Sequence, residues 1–163
     1  GALQAPGKAL FLPYLGGERT PHNDAAIRAS FLHLDHATGR AAMVRAVLEG
    51  VTHAVRDSYD ALTGTGTRIE SLIAVGGGSR SDYWLKAIAT SLGLPISVPV
   101  AGDFGGAFGA ARLAMMAASG AGAEIATAPR IAKTIEPDTT LASAFAEAHA
   151  RYSAAYSALK GLT

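Results

Sequence analysis

The stretch Ser71-Leu-Ile-Ala-Val75, followed at once by Gly76-Gly-Gly-Ser-Arg-Ser-Asp82, decides the fold class of this chain. Its first five residues form an apolar run of strand length, and the three glycines that follow are typical of a tight turn. Ser81 is a favoured N-cap residue for a helix that ends at Gly93. The stretch therefore predicts a strand, a turn and a helix, and we expect the strand to be buried on both faces of a sheet.

The rest of the chain continues this alternation of strands and helices. Further strands are predicted at residues 9–15, 30–34 and 95–99, and further helices at residues 40–62, from the Gly102–Gly109 glycine cluster to about Ala118, and at residues 141–159. Gly50 lies inside the first of these helices, which indicates that another backbone passes close by. Residues 120–140 are predicted to be irregular and surface-lying. The pattern predicts an α/β fold in which a sheet is covered by helices.

Composition limits the class of protein. The 163 residues are 49% hydrophobic and 17% charged, which is typical of one folded domain. The 14 Lys and Arg side chains nearly balance the 13 Asp and Glu side chains, so there is no basic field for nucleic acid. Cysteine is absent, which excludes disulfides, thiolate nucleophiles and cysteine-based zinc sites.

No membrane segment or signal peptide is expected. The uncharged stretch Leu113–Ala123 contains Ser119 and two glycines and is shorter than the ~20 apolar residues that span a bilayer. Residues 1–8 lack the basic and apolar regions of a secretory signal. We therefore expect a cytoplasmic protein.

The triple glycine is the strongest chemical signal. Glycine has no Cβ to hold a ligand away from the backbone, and a helix start presents N–H groups that favour phosphate or a polar ring edge. Asp82 lies at this helix start, where its carboxylate suits an adenine amino group or a ribose hydroxyl. From these residues alone, a ligand site and a plain structural turn remain equally open. Neither the dinucleotide fingerprint nor the P-loop motif occurs in the chain.

Two other groups of residues have weaker signals. The glycines at positions 105, 106 and 109 could form a second backbone wall of the same pocket, but close helix packing is the favoured interpretation. His22 lies in the turn-rich segment 16–24 and is the histidine that best suits a polar substrate, although a surface role is more frequent for such residues.

Four motifs, in order, resemble the C-terminal domain of the FGGY family of carbohydrate kinases over roughly residues 10–118. They are Phe11-Leu-Pro-Tyr-Leu-Gly-Gly-Glu-Arg-Thr-Pro-His-Asn-Asp24, Arg45-Ala-Val-Leu-Glu-Gly-Val51 with Arg56-Asp57, Gly76-Gly-Gly-Ser-Arg-Ser-Asp-Tyr-Trp84, and Gly109-Ala-Ala-Arg-Leu-Ala114. Four motifs in sequence are far more specific than one glycine turn.

The resemblance implies an actin-like ATPase, RNase H-like fold of two domains, with ATP and sugar in the cleft between them. The family transfers the γ-phosphate of Mg-ATP to a sugar hydroxyl. Its adenosine motif falls on Gly76, Gly77, Gly78 and Ser79, and its helix-start residue that faces the adenine or ribose falls on Asp82.

The segment Gly17-Glu-Arg-Thr-Pro-His22 is most similar to the family members that convert D-xylulose to D-xylulose 5-phosphate. The resemblance therefore places Arg19 and His22 near the substrate. Members that act on ribulose, gluconate or glycerol are the alternative. A further alternative is a non-catalytic binding or dimerisation module, in which the helix at 141–159 packs on a partner.

The resemblance also sets the expected domain organisation. Residues 1–163 correspond to one C-terminal, nucleotide-side domain, with a helical extension at 141–159. The N-terminal sugar-binding domain of the family, with its catalytic aspartate and most of the Mg²⁺ site, has no counterpart here. We therefore expect no catalytic residue and no metal ligand in this chain, no activity of the chain alone, and small-molecule partners, ATP and a pentulose, with a homodimer as an open alternative.

Overall fold

The computed structural model of the chain describes residues 1–100, 102 and 105–162. Its strands are β1 (Leu10–Leu12), β2 (Ser30–Leu32), β3 (Leu72–Ile73), β4 (Ile96–Pro99) and β5 (Ile131–Ile135), and its helices are α1 (Arg40–Gly64), α2 (Asp82–Leu92), α3 (Gly105–Ser119) and α4 (Ala142–Leu159). The predicted α/β class is confirmed. Asp103 and Phe104 of the second glycine cluster lie outside the described residues.

The strands form two small sheets. In the first, β1 pairs with β2 in antiparallel register, with Leu10 opposite Leu32. In the second, the order is β3-β4-β5, with β3 parallel and β5 antiparallel to β4. Helix α1 packs on β1 and also contacts α2 and α4, so it links the two sheets.

Helix α1 approaches β1 closely at Gly50, as the sequence predicts. A Cβ at this position would collide with the backbone carbonyl of Phe11. Glycine is therefore required here because a backbone carbonyl cannot yield as a flexible side chain can. The close approach fixes α1 against the first sheet.

Two apolar clusters hold the elements together. The first joins β1 to α4 and consists of Leu12, Tyr14, Ile27, Tyr152 and Tyr156. The second joins α2 to the second sheet and consists of Leu85, Ala89, Ile96 and Val98. Helix α4 thus docks on the core of its own chain.

The expectation that the strand at 71–75 is buried on both faces is wrong. Regular pairing is limited to Leu72–Ile73, and Ile73 and Val75 are 53% and 59% exposed. The physical reason is that only one face of this strand is covered: Leu72 and Ala74 pack against the second apolar cluster, and Ile73 and Val75 alternate onto the opposite face. An apolar run therefore identified the strand but not its surroundings.

The expectation that residues 120–140 are irregular is wrong over Ile131–Ile135. This segment is β5 and pairs with β4, with Ile96 opposite Ile135 and Val98 opposite Lys133. It does lie at the surface, since four of its five residues are exposed. Because most of its side chains face solvent, the segment needs few apolar residues, which explains its weak hydrophobic signal.

Helix α3 differs from the other helices because no residue in it is buried. Phe108, Leu113 and Met115 are exposed apolar side chains on this helix. Within the part of the chain that the structure describes, none of the helices combines the length and apolar composition needed to cross a membrane.

Candidate functional site

In the glycine loop between β3 and α2, only the first residue has a backbone conformation that requires glycine. Gly76 has φ +84° and ψ −179°, a region that L-residues with side chains rarely enter. Its N–H donates to the carbonyl of Gly102 at 2.9 Å, which ties the loop to the segment after β4. Ser79 Oγ donates to the carbonyl of Gly76 at 2.7 Å and closes a short 3₁₀ turn over Gly77–Arg80.

Helix α2 begins directly after this turn. The Oγ atom of Ser81 accepts a hydrogen bond from the backbone N–H of Trp84 at 3.3 Å, as predicted for an N-cap. The carbonyl of Gly78 accepts from the N–H of Ser81 at 3.1 Å. The loop therefore leads into a capped helix start, whose partial positive charge favours anionic or polar ligand groups.

The middle of the loop is open to solvent. Gly77 and Gly78 are exposed, whereas Ser79 is buried. A Cβ at Gly77 would have no heavy atom within 4 Å. Because no side chain covers the Gly77 backbone, a planar or polar ligand group can reach it directly.

An apolar depression of about 290 Å³ adjoins the loop. It lies between β3 and α2, and its lining includes Val75, Gly78, Ser79 and Trp84. Apolar walls beside a polar backbone turn suit a ligand that has both a flat ring and hydrogen-bonding groups.

Asp82 is the first residue of α2 and forms an ion pair that the sequence did not indicate. Its Oδ1 atom lies 2.6 Å from Nζ of Lys133 on β5, and the two side chains are 60% and 46% exposed. Sequence reasoning missed Lys133 because β5 itself was not predicted. The segment Ile131-Ala-Lys-Thr-Ile135 carries no clear strand signal, since Lys133 interrupts the apolar residues on the face that it shares with Ile131 and Ile135.

The loop at residues 16–24 packs on α4. The imidazole of His22 stacks on the ring of Tyr156 with 3.6 Å between centroids and an interplanar angle of 8°. The N–H of His22 donates to Oε2 of Glu18 at 2.7 Å, and Asp24 Oδ2 accepts from the Tyr156 hydroxyl at 3.2 Å. Arg19 is exposed on this loop.

Asp57 of α1 lies between two histidines. Its Oδ1 atom is 2.6 Å from Nε2 of His149, and its Oδ2 atom is 4.0 Å from Nε2 of His22. His53, one helical turn away, is 1% exposed. Burial, reinforced by the neighbouring His149, lowers the pKa of His53 to about 4, so its imidazole is neutral at physiological pH.

The predicted site residues thus fall into two groups on different elements. Gly76, Gly77, Gly78, Ser79 and Asp82 lie together on the glycine loop and the start of α2. The other two, Arg19 and His22, lie on the loop that packs on α4, where His22 is partly buried in ring contacts. In the described part of the chain, no cluster of three or more metal-ligating side chains is present.

Known proteins are similar to this chain in sequence and in fold. The C-terminal domain of the FGGY family of carbohydrate kinases matches residues 2–118. The xylulose kinase of Escherichia coli is 41% identical over 109 residues, 67% of this chain and 22% of that protein. A xyloylose (xylulose) kinase structure from Brucella ovis matches with a TM-score of 0.89 at 59% identity, over 99% of this chain and 34% of that one. A gluconate kinase structure from Lactobacillus acidophilus matches with a TM-score of 0.75 at 28% identity, over 97% of this chain and 32% of that one.

The chain therefore spans about a quarter of the length of the curated relatives it matches, 22% and 24% for two of the xylulose kinases. The agreement with the solved sugar kinases confirms the expected actin-like ATPase, RNase H-like fold. The family match covers well over half of the chain. By sequence and by fold, this chain belongs to the FGGY family of carbohydrate kinases and carries its C-terminal domain.

Proposed function

We propose that this chain is the nucleotide-binding half of an ATP-dependent sugar kinase. The observation that carries the proposal is the exposed backbone of Gly77 and Gly78, which leads into the capped start of α2. An adenosine group needs a flat apolar surface and hydrogen-bonding groups, and both are present beside this loop.

The adenosine is proposed to contact Gly76, Gly77, Gly78 and Ser79, with Asp82 facing the adenine or ribose. Nζ of Lys133 lies 2.6 Å from the Asp82 carboxylate, and because both side chains are about half exposed, that carboxylate stays accessible to a ligand. ATP with Mg²⁺ supplies the phosphoryl group when bound, and this chain's residues bind and orient its nucleoside end.

The acceptor is proposed to be D-xylulose, with D-xylulose 5-phosphate as the product. The xylulose kinases among the relatives support this acceptor, and Arg19 and His22 are proposed to lie on the sugar side. The gluconate kinase of similar structure supports the alternative of a related sugar. Initial rates with xylulose, ribulose, gluconate and glycerol, measured on the longer kinase, will identify the acceptor.

Residues 1–163 are proposed to act as one domain of a longer, cytoplasmic enzyme. Phosphoryl transfer needs positioning and electrostatic stabilisation on both sides of the transferred group. The proposed catalytic base and the other phosphate-binding loop belong to the family's N-terminal domain. We therefore expect no sugar phosphorylation by the 163-residue chain alone, and sedimentation of the longer kinase will show whether it forms a homodimer.

Gly78→Val in the longer kinase tests the proposed adenosine contact. The valine side chain would project into the loop surface and against Trp84, so we expect the KM for ATP to rise about tenfold or more while the KM for sugar changes little. Gly39→Val is the matched control, since Gly39 has open space around it and lies outside the loop. A larger rise in the KM for sugar than for ATP would contradict the assignment.

A further inference from the structure

The only tryptophan in the chain, Trp84, lies directly against the glycine loop. A Cβ placed on Gly78 would be 2.5 Å from Cζ3 and 3.2 Å from Cε3 of this indole. The indole ring therefore occupies the space beside the Gly78 backbone. It is partly buried and also lines the apolar depression next to the loop.

Trp84 is held at two points. Its backbone N–H donates to Oγ of Ser81 at 3.3 Å, and its indole Nε1–H donates to Oγ1 of Thr52 at 3.2 Å. The first contact belongs to the local helix cap. The second crosses to α1, 32 residues away in sequence. The backbone contact fixes the residue at the start of α2, and the indole contact to Thr52 defines the orientation of the ring.

Thr52 is suited to accept this hydrogen bond. The residue is 0% exposed, and its hydroxyl donates to the carbonyl of Leu48 at 2.8 Å. Since a hydroxyl has a single proton, this donation leaves its lone pairs to accept from the indole. Helix α1 is in turn fixed against β1 at Gly50. The acceptor is therefore part of a well-supported element.

The glycine loop needs such external support. Positions 76–78 have no side chains of their own to anchor the backbone, and glycine is the residue with the greatest conformational freedom. The internal bonds of Ser79 close the turn, but the face of Gly78 towards α2 meets only the Trp84 ring among the atoms nearest to it.

We infer that Trp84 is a positioning residue for the adenosine loop, and that Thr52 of α1 fixes its indole in the orientation that the loop requires. The inference rests on the proposed function, in that the loop is taken to bind adenosine. It adds that α1, which carries none of the proposed nucleotide contacts, sets the geometry of the site.

Thr52→Val is the direct test. Valine has nearly the same shape as threonine but lacks the hydroxyl, so packing is retained and the indole N–H loses its partner. Thr52→Ser restores the hydroxyl and is the rescue variant. Thr63→Val is the matched control, because Thr63 also donates to a carbonyl one turn earlier on α1, that of Tyr59 at 3.0 Å, away from the loop.

Three readouts on the 163-residue chain separate positioning from general stability. Amide hydrogen exchange at Ser79 and Ser81 reports loop opening, since both N–H groups are bonded within the loop. Trp84 emission reports the indole environment without interference from other tryptophans. Calorimetric titration reports the Kd for ADP.

In Thr52→Val we expect exchange at these amides to speed up about fivefold to tenfold, the emission to change, and the Kd for ADP to rise by a similar factor. We expect Thr52→Ser and Thr63→Val to match the unmodified chain. Unchanged loop exchange in Thr52→Val would overturn the inference, as would equal acceleration in Thr63→Val.

Loop exchange and ADP titration test two separate claims, the positioning role of Trp84 and Thr52 and nucleotide binding by the chain. If the unmodified chain shows no ADP binding at millimolar concentration, nucleotide binding by this chain is refuted, and the exchange rates still decide whether Trp84 and Thr52 position the loop. If ADP binds and Thr52→Val leaves both its Kd and the loop exchange unchanged, the positioning role is refuted and nucleotide binding stands.

Discussion

Gly76 is the residue whose backbone most directly shapes the proposed adenosine loop. Because its φ is +84°, replacement by alanine introduces backbone strain of about 1–3 kcal/mol. We expect Gly76→Ala to lower the free energy of unfolding by this amount, measured by urea denaturation. Gly77→Ala is the matched control, since a Cβ there meets open space, and we expect a change within about 0.5 kcal/mol. Equal effects of the two variants would contradict the loop geometry.

His53 gives the fold a predictable pH dependence. In the folded chain its pKa is about 4, whereas the ordinary value is 6.5. Between these two values the unfolded chain binds more protons, so the free energy of unfolding falls as the pH is lowered through this window. The difference between the two pKa values corresponds to about 3 kcal/mol in the free energy of unfolding. This contribution is fully present above about pH 7 and is lost by about pH 4.

His53→Leu is expected to remove this contribution. Chemical denaturation at pH 7 and pH 4.5 should show a smaller loss of stability in the variant than in the unmodified chain. The ionisable groups that act on His53 remain in both proteins, namely His149, Asp57 and Arg151, so the comparison isolates the buried ring. Identical pH profiles would show that His53 is not buried as a neutral imidazole.

Among the elements, α4 is the support of the loop at 16–24. Tyr156 stacks on His22 and donates to Asp24, so Tyr156→Ala removes both contacts. We expect this variant to lose about 3–5 kcal/mol of stability and to be cleaved faster by trypsin after Arg19. Tyr156→Phe retains the ring, so its loss should be about 1 kcal/mol. Cleavage after Arg19 at the unmodified rate in Tyr156→Ala would show that the loop does not depend on α4.

The elements show where sequence patterns succeed. Helix α1 was predictable from apolar residues at three- and four-residue spacing, and the start of α2 was predictable from Ser81 because helix caps are local interactions. The strand β5 was not predicted, since only its pairing with β4 makes it a strand. The exposure of Ile73 was also missed, because periodicity reports polarity and not position within a sheet.

In the candidate site too, local features were predictable from the sequence and long-range contacts were not. The glycine loop was visible because its chemistry is contiguous in sequence. Lys133 and Thr52 were not visible, since each reaches the loop region from a distant element, through Asp82 and Trp84 respectively. The ring contact between His22 and Tyr156, 134 positions apart, could be found only in the folded chain.

At the scale of the whole molecule, the chain is proposed to provide one wall of a two-domain cleft. It spans 34% of the Brucella ovis kinase, and the exposed apolar side chains of β3 and α3 are consistent with a domain that has further surfaces to cover. The family relationship and the actin-like fold explain the order of its elements. The proposed role in nucleotide binding depends on one short loop and the helix that follows it.

Amide-resolved NMR titration of the 163-residue chain with ADP tests this central claim most directly. The account predicts chemical-shift changes that saturate with ADP and are concentrated at Gly76–Ser79 and Asp82, with smaller changes at Trp84. Xylulose alone should leave these amides unchanged. Absence of shifts at millimolar ADP, or saturable shifts confined to the loop at 16–24, would contradict it.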